Sequence, residues 1–594
     1  MDLRKEQFMA RADLHVHSKY SMDGDEWTLK ALGVRESYTE LDAIYRAAKS
    51  RKMDYVTVTD HNSIEGALRL VHKYPNEAFV SCEFSVVFPE NHCKVHILVF
   101  DLTEKQFEKL QGLRSNIYAF RDYIRAEKLA YSVAHATLSV NRKIDRNTLE
   151  KLILLFDVFE SVNGAHAARH NQEWTEAIEH LTAEDIERLR LKHRIEPFSK
   201  DSWIKGLTGG SDDHAGLFIG ETFTIAPCRT KDDFLKSLRD KKTFGFGRNH
   251  DYKSMALSFI LIGGYIYSDL TGEGSPAHIS REIGGILRGD KAGGGMLRVF
   301  SFFLARSPRK FHRVLGKFFS GISRDRSLKG PHSSCQRMDL IYKQLTILLD
   351  EIVRSMIQAL AAKQGRAGKA RWLKKSILAT TFLGAPFFAA LRLLNHNKRL
   401  LEDLEFSGEC PVKTAEAPAR TLWFSDAVRS RQDLDGFTSR RDLSGDPSVR
   451  VAVCSSPKRP LGCPGALDLP MVGILRKRFF GFSSLRIPSV LGALSVIEKW
   501  NPDQIVIDTP GPVGLLGFIA ARMLDIQCLT AFSPKVSHDD FPDAEGGTFE
   551  AVEKYLKYLY SLADGAYHGN ASCGKVLFER RNELFENPAL VRCA

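Results

Sequence analysis

A chain of 594 residues with 43% hydrophobic and 26% charged positions is long enough for two or three packed cores and has the composition of a folded protein, which excludes a disordered or fibrous chain. Its formal net charge of +12 favours an anionic partner: nucleic acid, a phosphorylated substrate or an acidic membrane surface. The ten cysteines include no CxxC pair, so neither a zinc finger nor a disulfide framework is implied; with no signal-like apolar stretch at the start, a cytoplasmic setting is expected, with peripheral attachment to the inner face of the membrane as a variant.

Seven short apolar runs separated by helix-like stretches follow one another from Ala12 to about His250. They are ADLHVHS, YVTVTDH, AFVSCEFSVV, KVHILVF, AYSVAHA, DVFESVNG and LTGGSDDH. Alternation of strand and helix at this length predicts a barrel or a doubly wound sheet, with chemistry gathered at the carboxyl ends of the strands.

The first of these strands carries His15 and His17 on one face, because side chains alternate along extended backbone. An isolated pair of this kind is just as well read as one solvent-facing and one core histidine. The later strands repeat the pattern, however. Asp23 follows the first strand, His61 ends the second, Glu83 lies on the third and His96 on the fourth. His135 ends the fifth, and Asp212 and His214 close the seventh. Nitrogen and oxygen donors in such a set suit zinc, manganese or iron better than magnesium or calcium.

The order HxH, D, TDH, E, H, H, GSDxH over residues 11 to 250 resembles the PHP family of metal-dependent phosphoesterases. The resemblance implies a distorted seven-stranded (β/α) barrel with a trinuclear centre. One metal would be held by His15, His17, Glu83 and Asp212, a second by Asp23, His61 and His214, and a third by the bridging Glu83 with His96 and His135. Three divalent transition metals are the implied cofactor. A water bridging them, held by Glu83, Asp212 and His135, would attack a phosphoester. Asp60 is expected to orient an imidazole from behind. Asn163 and Arg169, near the end of the sixth strand, are candidates for binding the substrate phosphate, although an ordinary surface arginine is an equal reading for Arg169.

Residues 251–416 read as a basic helical region. Twelve Lys/Arg stand against three acids from Arg281 to Lys329, KQGRAGKARWLKK holds six cations and no acid, and sixteen uncharged residues lie between Lys375 and Arg392. That apolar stretch falls short of the ~20 residues that span a bilayer. The basic runs, interleaved with VFSFFLA and KFFSGI, fit either peripheral contact with an anionic membrane or a solvated helix face.

From residue 417 a second α/β rhythm begins. IVIDTPGPVGLLGFIAARMLDIQ reads as strand, loop, helix and strand, and resembles the first Rossmann-like half of family 4 glycosyltransferases of the GT-B fold. HDDFP at His538–Pro542 and a glycine-bearing loop at Gly436 belong to the same likeness. The sequence ends at Ala594, so this domain is expected to be incomplete, and a nucleotide-sugar would be a cofactor only of a completed enzyme. The expected function is hydrolysis of a phosphorylated small molecule, glycan or lipid phosphate. The alternatives are a glycosyltransferase acting on a lipid or glycan acceptor with the metal domain accessory, and a nucleic-acid-binding module whose metal barrel is structural.

Overall fold

The structure, a computed structural model, describes residues 9–21, 34–138, 140–290, 316–322, 334–361, 383–396, 400, 420–456, 458–476, 484–531 and 546–567. Asp23, the VFSFFLA and KQGRAGKARWLKK segments and the HDDFP turn lie outside the described residues. The chain divides into two compact units. The first comprises residues 1–298, 325–339 and 393–413, and the second 299–324, 340–392 and 414–594. Among the described residues, no helix is long and apolar enough to cross a membrane.

All seven predicted strands of the first unit are present, distributed over two sheets. One has the order β2-β1-β8-β9, where β1 is Met9–Asp13, β2 Tyr55–Val56, β8 Thr222–Pro227 and β9 Phe244–Gly247. The other runs β3-β4-β5-β6-β7, from Ser81–Val87 through Lys94–Phe100, Ala130–Val133 and Val158–Asn163 to Gly206–Gly210. β8 and β9 form an antiparallel pair that the strand-helix rhythm did not foretell, and β1 with β8, β3 with β4 and β4 with β5 also run antiparallel, where strand-helix alternation predicted parallel neighbours. Isolated bridges join the facing edges of the two sheets, Val56 to Ala78 and His61 to Glu83 on one side and Val16 to Asp213 on the other.

The HxH segment continues β1 past its formal end, extending its pairing with β2 and forming the Val16–Asp213 bridge. The amide of Thr59 donates to the carbonyl of Val16 at 2.8 Å, and the amide of Asp212 to that of His15 at 2.7 Å. The second approach depends on glycine: a Cβ at Gly210 would lie 2.3 Å from Cβ of His15. On β3 the alternation sorts the faces cleanly. Cys82, Phe84 and Val86 enter the apolar core with Ile97, Phe120, Leu149 and Trp174, leaving Glu83 for the opposite face.

The second unit is built on a seven-stranded sheet, β13-β12-β11-β10-β14-β15-β16. Here β10 is Thr421–Phe424, β11 Val449–Ser455, β12 Ala466–Leu475, β13 Leu485–Pro488, β14 Gln504–Ile507, β15 Gln527–Thr530 and β16 Gly565–Ala566. Every pairing is parallel except that of β12 with β13. Setting aside that edge strand, the strands run 3-2-1-4-5-6 in chain order, the doubly wound arrangement with a switch point between β10 and β14. The helix Pro512–Leu524 lies close against this sheet, since a Cβ at Gly517 would meet Ile507 at 2.5 Å and Phe424 at 2.6 Å. The loop expected at Gly436 is instead the interior of the helix Arg431–Arg440. Ser430 caps that helix through the amide of Asp433, and this start signal outweighs one unfavourable glycine.

Candidate metal centre

Glu83 is fully buried at the point where the strand ends converge, and five imidazoles surround its carboxylate. Its Oε2 lies 3.2 Å from Nε2 of His15, Nε2 of His17 and Nδ1 of His61. Its Oε1 lies 2.8 Å from Nδ1 of His96 and 3.2 Å from Nε2 of His135. One carboxylate thus presents each oxygen to a separate histidine group. Asp212 completes the near side, with Oδ1 3.4 Å from Nε2 of both His15 and His17 and 3.6 Å from Nδ1 of His214.

Two of these residues hold backbone conformations uncommon outside glycine, His135 at φ 27° and Asp212 at φ 50°. Non-glycine residues in this region cost energy and persist where the surroundings over-determine them. The surroundings here are specific. Glu160 stands 3.0 Å from Nδ1 of His15 and accepts from the amide of His135 at 2.9 Å. Nδ2 of Asn163 donates to Glu160 at 2.8 Å and to Asp212 at 3.2 Å.

Four sets of donors lie close enough to share an ion: His15 with His17 and Asp212; His15 with Glu83 and His135; His61 with Glu83 and His96; and His17 with His61 and His214. The chemistry of the set fits a transition metal. So does the state of its atoms. Nε2 of His17, Nδ1 of His61, Nε2 of His214 and Oε2 of Glu36 are buried yet make no hydrogen bond, a costly condition that a coordinated cation would relieve.

Electrostatically, the ion-free cluster is a lattice of opposed charges. Burial works to raise Glu83 and Asp212, but the facing histidines hold both well below the usual carboxylate range. Burial likewise lowers His17, yet the adjacent carboxylates of Asp212 and Glu83 carry it up to about 9. His61 goes the other way, to about 4, because desolvation prevails. A cation entering here displaces protons from some rings and meets carboxylates already ionised.

Eight of the nine nominated ligands therefore meet at one place, and the ninth, Asp23, lies outside the described residues. Beside His61 and His214 stands a residue that the sequence pattern did not single out. Oε2 of Glu36 is 3.4 Å from Nε2 of His61, and its Oε1 is 3.5 Å from Nε2 of His214. Glu160, also unforeseen, carried a faint signal as an acid within the strand VFESVN.

Other expected roles are placed differently. Asp60 accepts from the amide and hydroxyl of Ser18 at 2.6 and 2.7 Å rather than from an imidazole, because adjacent residues on extended backbone face opposite ways and His61 takes the inward side. Arg169 is 43% exposed on the helix Ala168–Glu179, with its guanidinium on Glu173, and it does not line the cavity above the cluster. Asn163 is fully buried and spends its amide on Glu160 and Asp212. That cavity, of about 450 Å³, is instead lined by His166, His170 and His250 together with apolar side chains of the helix Tyr252–Thr271.

Comparison with known proteins adds little. No family model matches the sequence. A segment of 58 residues is 41% identical to part of an uncharacterized protein of Methanocaldococcus jannaschii, covering 10% of this chain and 32% of that one; the chain thus matches about a third of that relative's length. Among solved structures, 39% of this chain aligns with 96% of a "putative metal-dependent phosphoesterase" of Bifidobacterium adolescentis, at 12% identity and a TM-score of 0.22.

Proposed function

We propose that the first unit is a PHP-type metal-dependent phosphoesterase with a multinuclear centre. The observation that carries this reading is Glu83, whose two oxygens face separate histidine groups in the manner of a bridging ligand. The edge bridges between the two sheets support a distorted ring of β1 to β7 around it. His15, His17, Glu83 and Asp212 would hold one ion, the same Glu83 with His96 and His135 another, and His61 with His214 a third. Bound divalent ions supply a water acidic enough to attack near neutral pH and neutralise phosphate oxygens. The chain's own part is positional: Glu160 fixes the ring of His15, Asn163 steadies Asp212, and the buried walls limit water.

The reading is tested by metal analysis of the purified chain together with hydrolysis of 4-nitrophenyl phosphate. Fewer than one tightly held transition metal per chain would reject it. For the second unit, the 3-2-1-4-5-6 strand order favours a nucleotide-type α/β fold, and we keep the glycosyltransferase-like half as the proposal for residues 417–594. Asp426 already accepts from the amides of Val513 and Gly514 at the start of the helix Pro512–Leu524, so a phosphate at that helix end would meet an occupied site. We therefore expect no turnover of nucleotide-sugars by this chain.

A further inference from the structure

The cavity over the metal centre is chemically divided. Its floor is the ligand cluster, but one wall comes from the helix Tyr252–Thr271, which holds no charged residue from Ser254 to Ser268. That helix packs Tyr252, Ala256, Leu257 and Leu261 into the protein. Met255, Phe259, Ile262 and Ile266 instead line the cavity, half-buried. Their spacing of four, three and four residues keeps them on one helical face. The stripe is long: the eleven helical steps from Met255 to Ile266 rise about 16 Å. A small polar phosphoester would leave this surface wet, whereas an extended aliphatic chain would cover it.

Resting on the phosphoesterase reading above, we propose that the substrate is an aliphatic phosphoester, its phosphate on the metal centre and its alkyl chain along the Met255–Phe259–Ile262–Ile266 stripe. Continuity of the stripe with the ligand cluster in one cavity is what commits it to the substrate's own chain. Floor and wall meet through Phe218 and His250, whose rings stand 3.8 Å apart. Both ring nitrogens of His250, and Nε2 of His166, are buried without a hydrogen bond. These imidazoles are polar groups for the ester end of the ligand, where chain and headgroup join.

The test is calorimetric titration of the full metal-loaded chain with methyl-, butyl- and octylphosphonate, which bind without being hydrolysed. Affinity should rise about fourfold for each methylene the stripe buries, so octylphosphonate should bind at least tenfold more tightly than methylphosphonate. Ile262→Ser should reduce that ratio severalfold, while Ile262→Leu, which preserves volume, should keep it. Dodecylphosphonate held in phosphatidylcholine vesicles, compared with free octylphosphonate, separates a membrane-borne from a dissolved source, and tight binding in either form supports the class. Equal affinities along the series, or no binding of any member, overturn the proposal, as they would if another segment of this chain covered the stripe. A protein that hydrolyses 4-nitrophenyl phosphate yet shows no chain-length dependence loses only this inference. One that holds no metal loses the phosphoesterase reading and this inference with it.

Discussion

At the scale of single residues, the centre depends on carboxylates whose contributions differ in kind. Glu83 faces five imidazoles, so Glu83→Gln replaces an anionic carboxylate with a neutral amide, a poor bridging ligand, and should lower both metal content and turnover more than any other single change in the cluster. Full metal content with near-native turnover in that variant would show that Glu83 bridges nothing. Glu160 acts one step back, through Nδ1 of His15 and the amide of His135. Glu160→Gln should weaken metal affinity by about 10–100-fold, read by competition with a chelating dye. The histidines and Asp212 were legible in the sequence because few other roles place those residue types at successive strand ends. Glu36 was not, since it stands in a loop with no periodic pattern, and only folding carries it to His61 and His214. The same residues set a pH dependence for the metal-free protein. His17 keeps its proton up to about 9 when folded, whereas an unfolded histidine gives it up near 6.5. The stability from that proton is complete below the unfolded value and disappears as pH rises through the folded one, so the melting temperature of chelator-treated protein should fall between pH 6.5 and 9. Metal affinity should rise over the same interval, because the ion competes with that proton. A melting temperature that climbs with pH in the stripped protein would contradict this.

At the scale of elements, the seven strands were readable because each is a short, largely apolar run separated from the next by turn or helix-like residues. β9, with the sequence FGFG, was not: its two glycines carry no side chain to report a face, and both of its phenylalanines are exposed. Gly436 misled for the opposite reason, a loop-forming residue enclosed in a helix by its cap. What glycine does at β7 is more demanding. Gly210→Ala would put a methyl group 2.3 Å from Cβ of His15 and 2.8 Å from its backbone nitrogen. Backbone on both sides cannot yield cheaply, so this variant should lose about 1–3 kcal/mol of stability and part of its metal. Gly112, near the end of the helix Glu104–Leu113, has nothing within 4 Å of the added carbon. Gly112→Ala should therefore gain about 0.5–1 kcal/mol with metal content unchanged. Urea unfolding of the two variants side by side checks the contrast, and equal effects would refute the close approach of β7 to the HxH segment.

At the scale of the whole molecule, the two units have separate apolar cores, one around Phe84, Ile97, Phe120 and Trp174, the other around Trp423, Phe437, Val451 and Val506. The sequence showed two α/β rhythms but not how the helical residues between them are shared, because helices such as Ser334–Ala361 carry apolar residues that either core could bury. Every residue of the metal cluster belongs to the first unit. Ligands that bind only the folded form stabilise it by mass action, about 2.7 kcal/mol for one site at a hundredfold excess over Kd. The first unit, with residues 1–298, 325–339 and 393–413, is larger than a typical small domain, so each kcal/mol moves its midpoint by only about 1–2 °C. Calorimetry of the full chain should consequently resolve two transitions, of which chelation lowers one by about 3–5 °C and leaves the other in place. The two transitions can be told apart by Glu83→Gln, which should reproduce the lower midpoint without chelator and make it insensitive to added metal. If chelation instead moves both transitions together, or the chain melts as one unit whose midpoint ignores metal, then the centre does not stabilise the first unit independently, and the assignment of folding energy to the metal cluster fails.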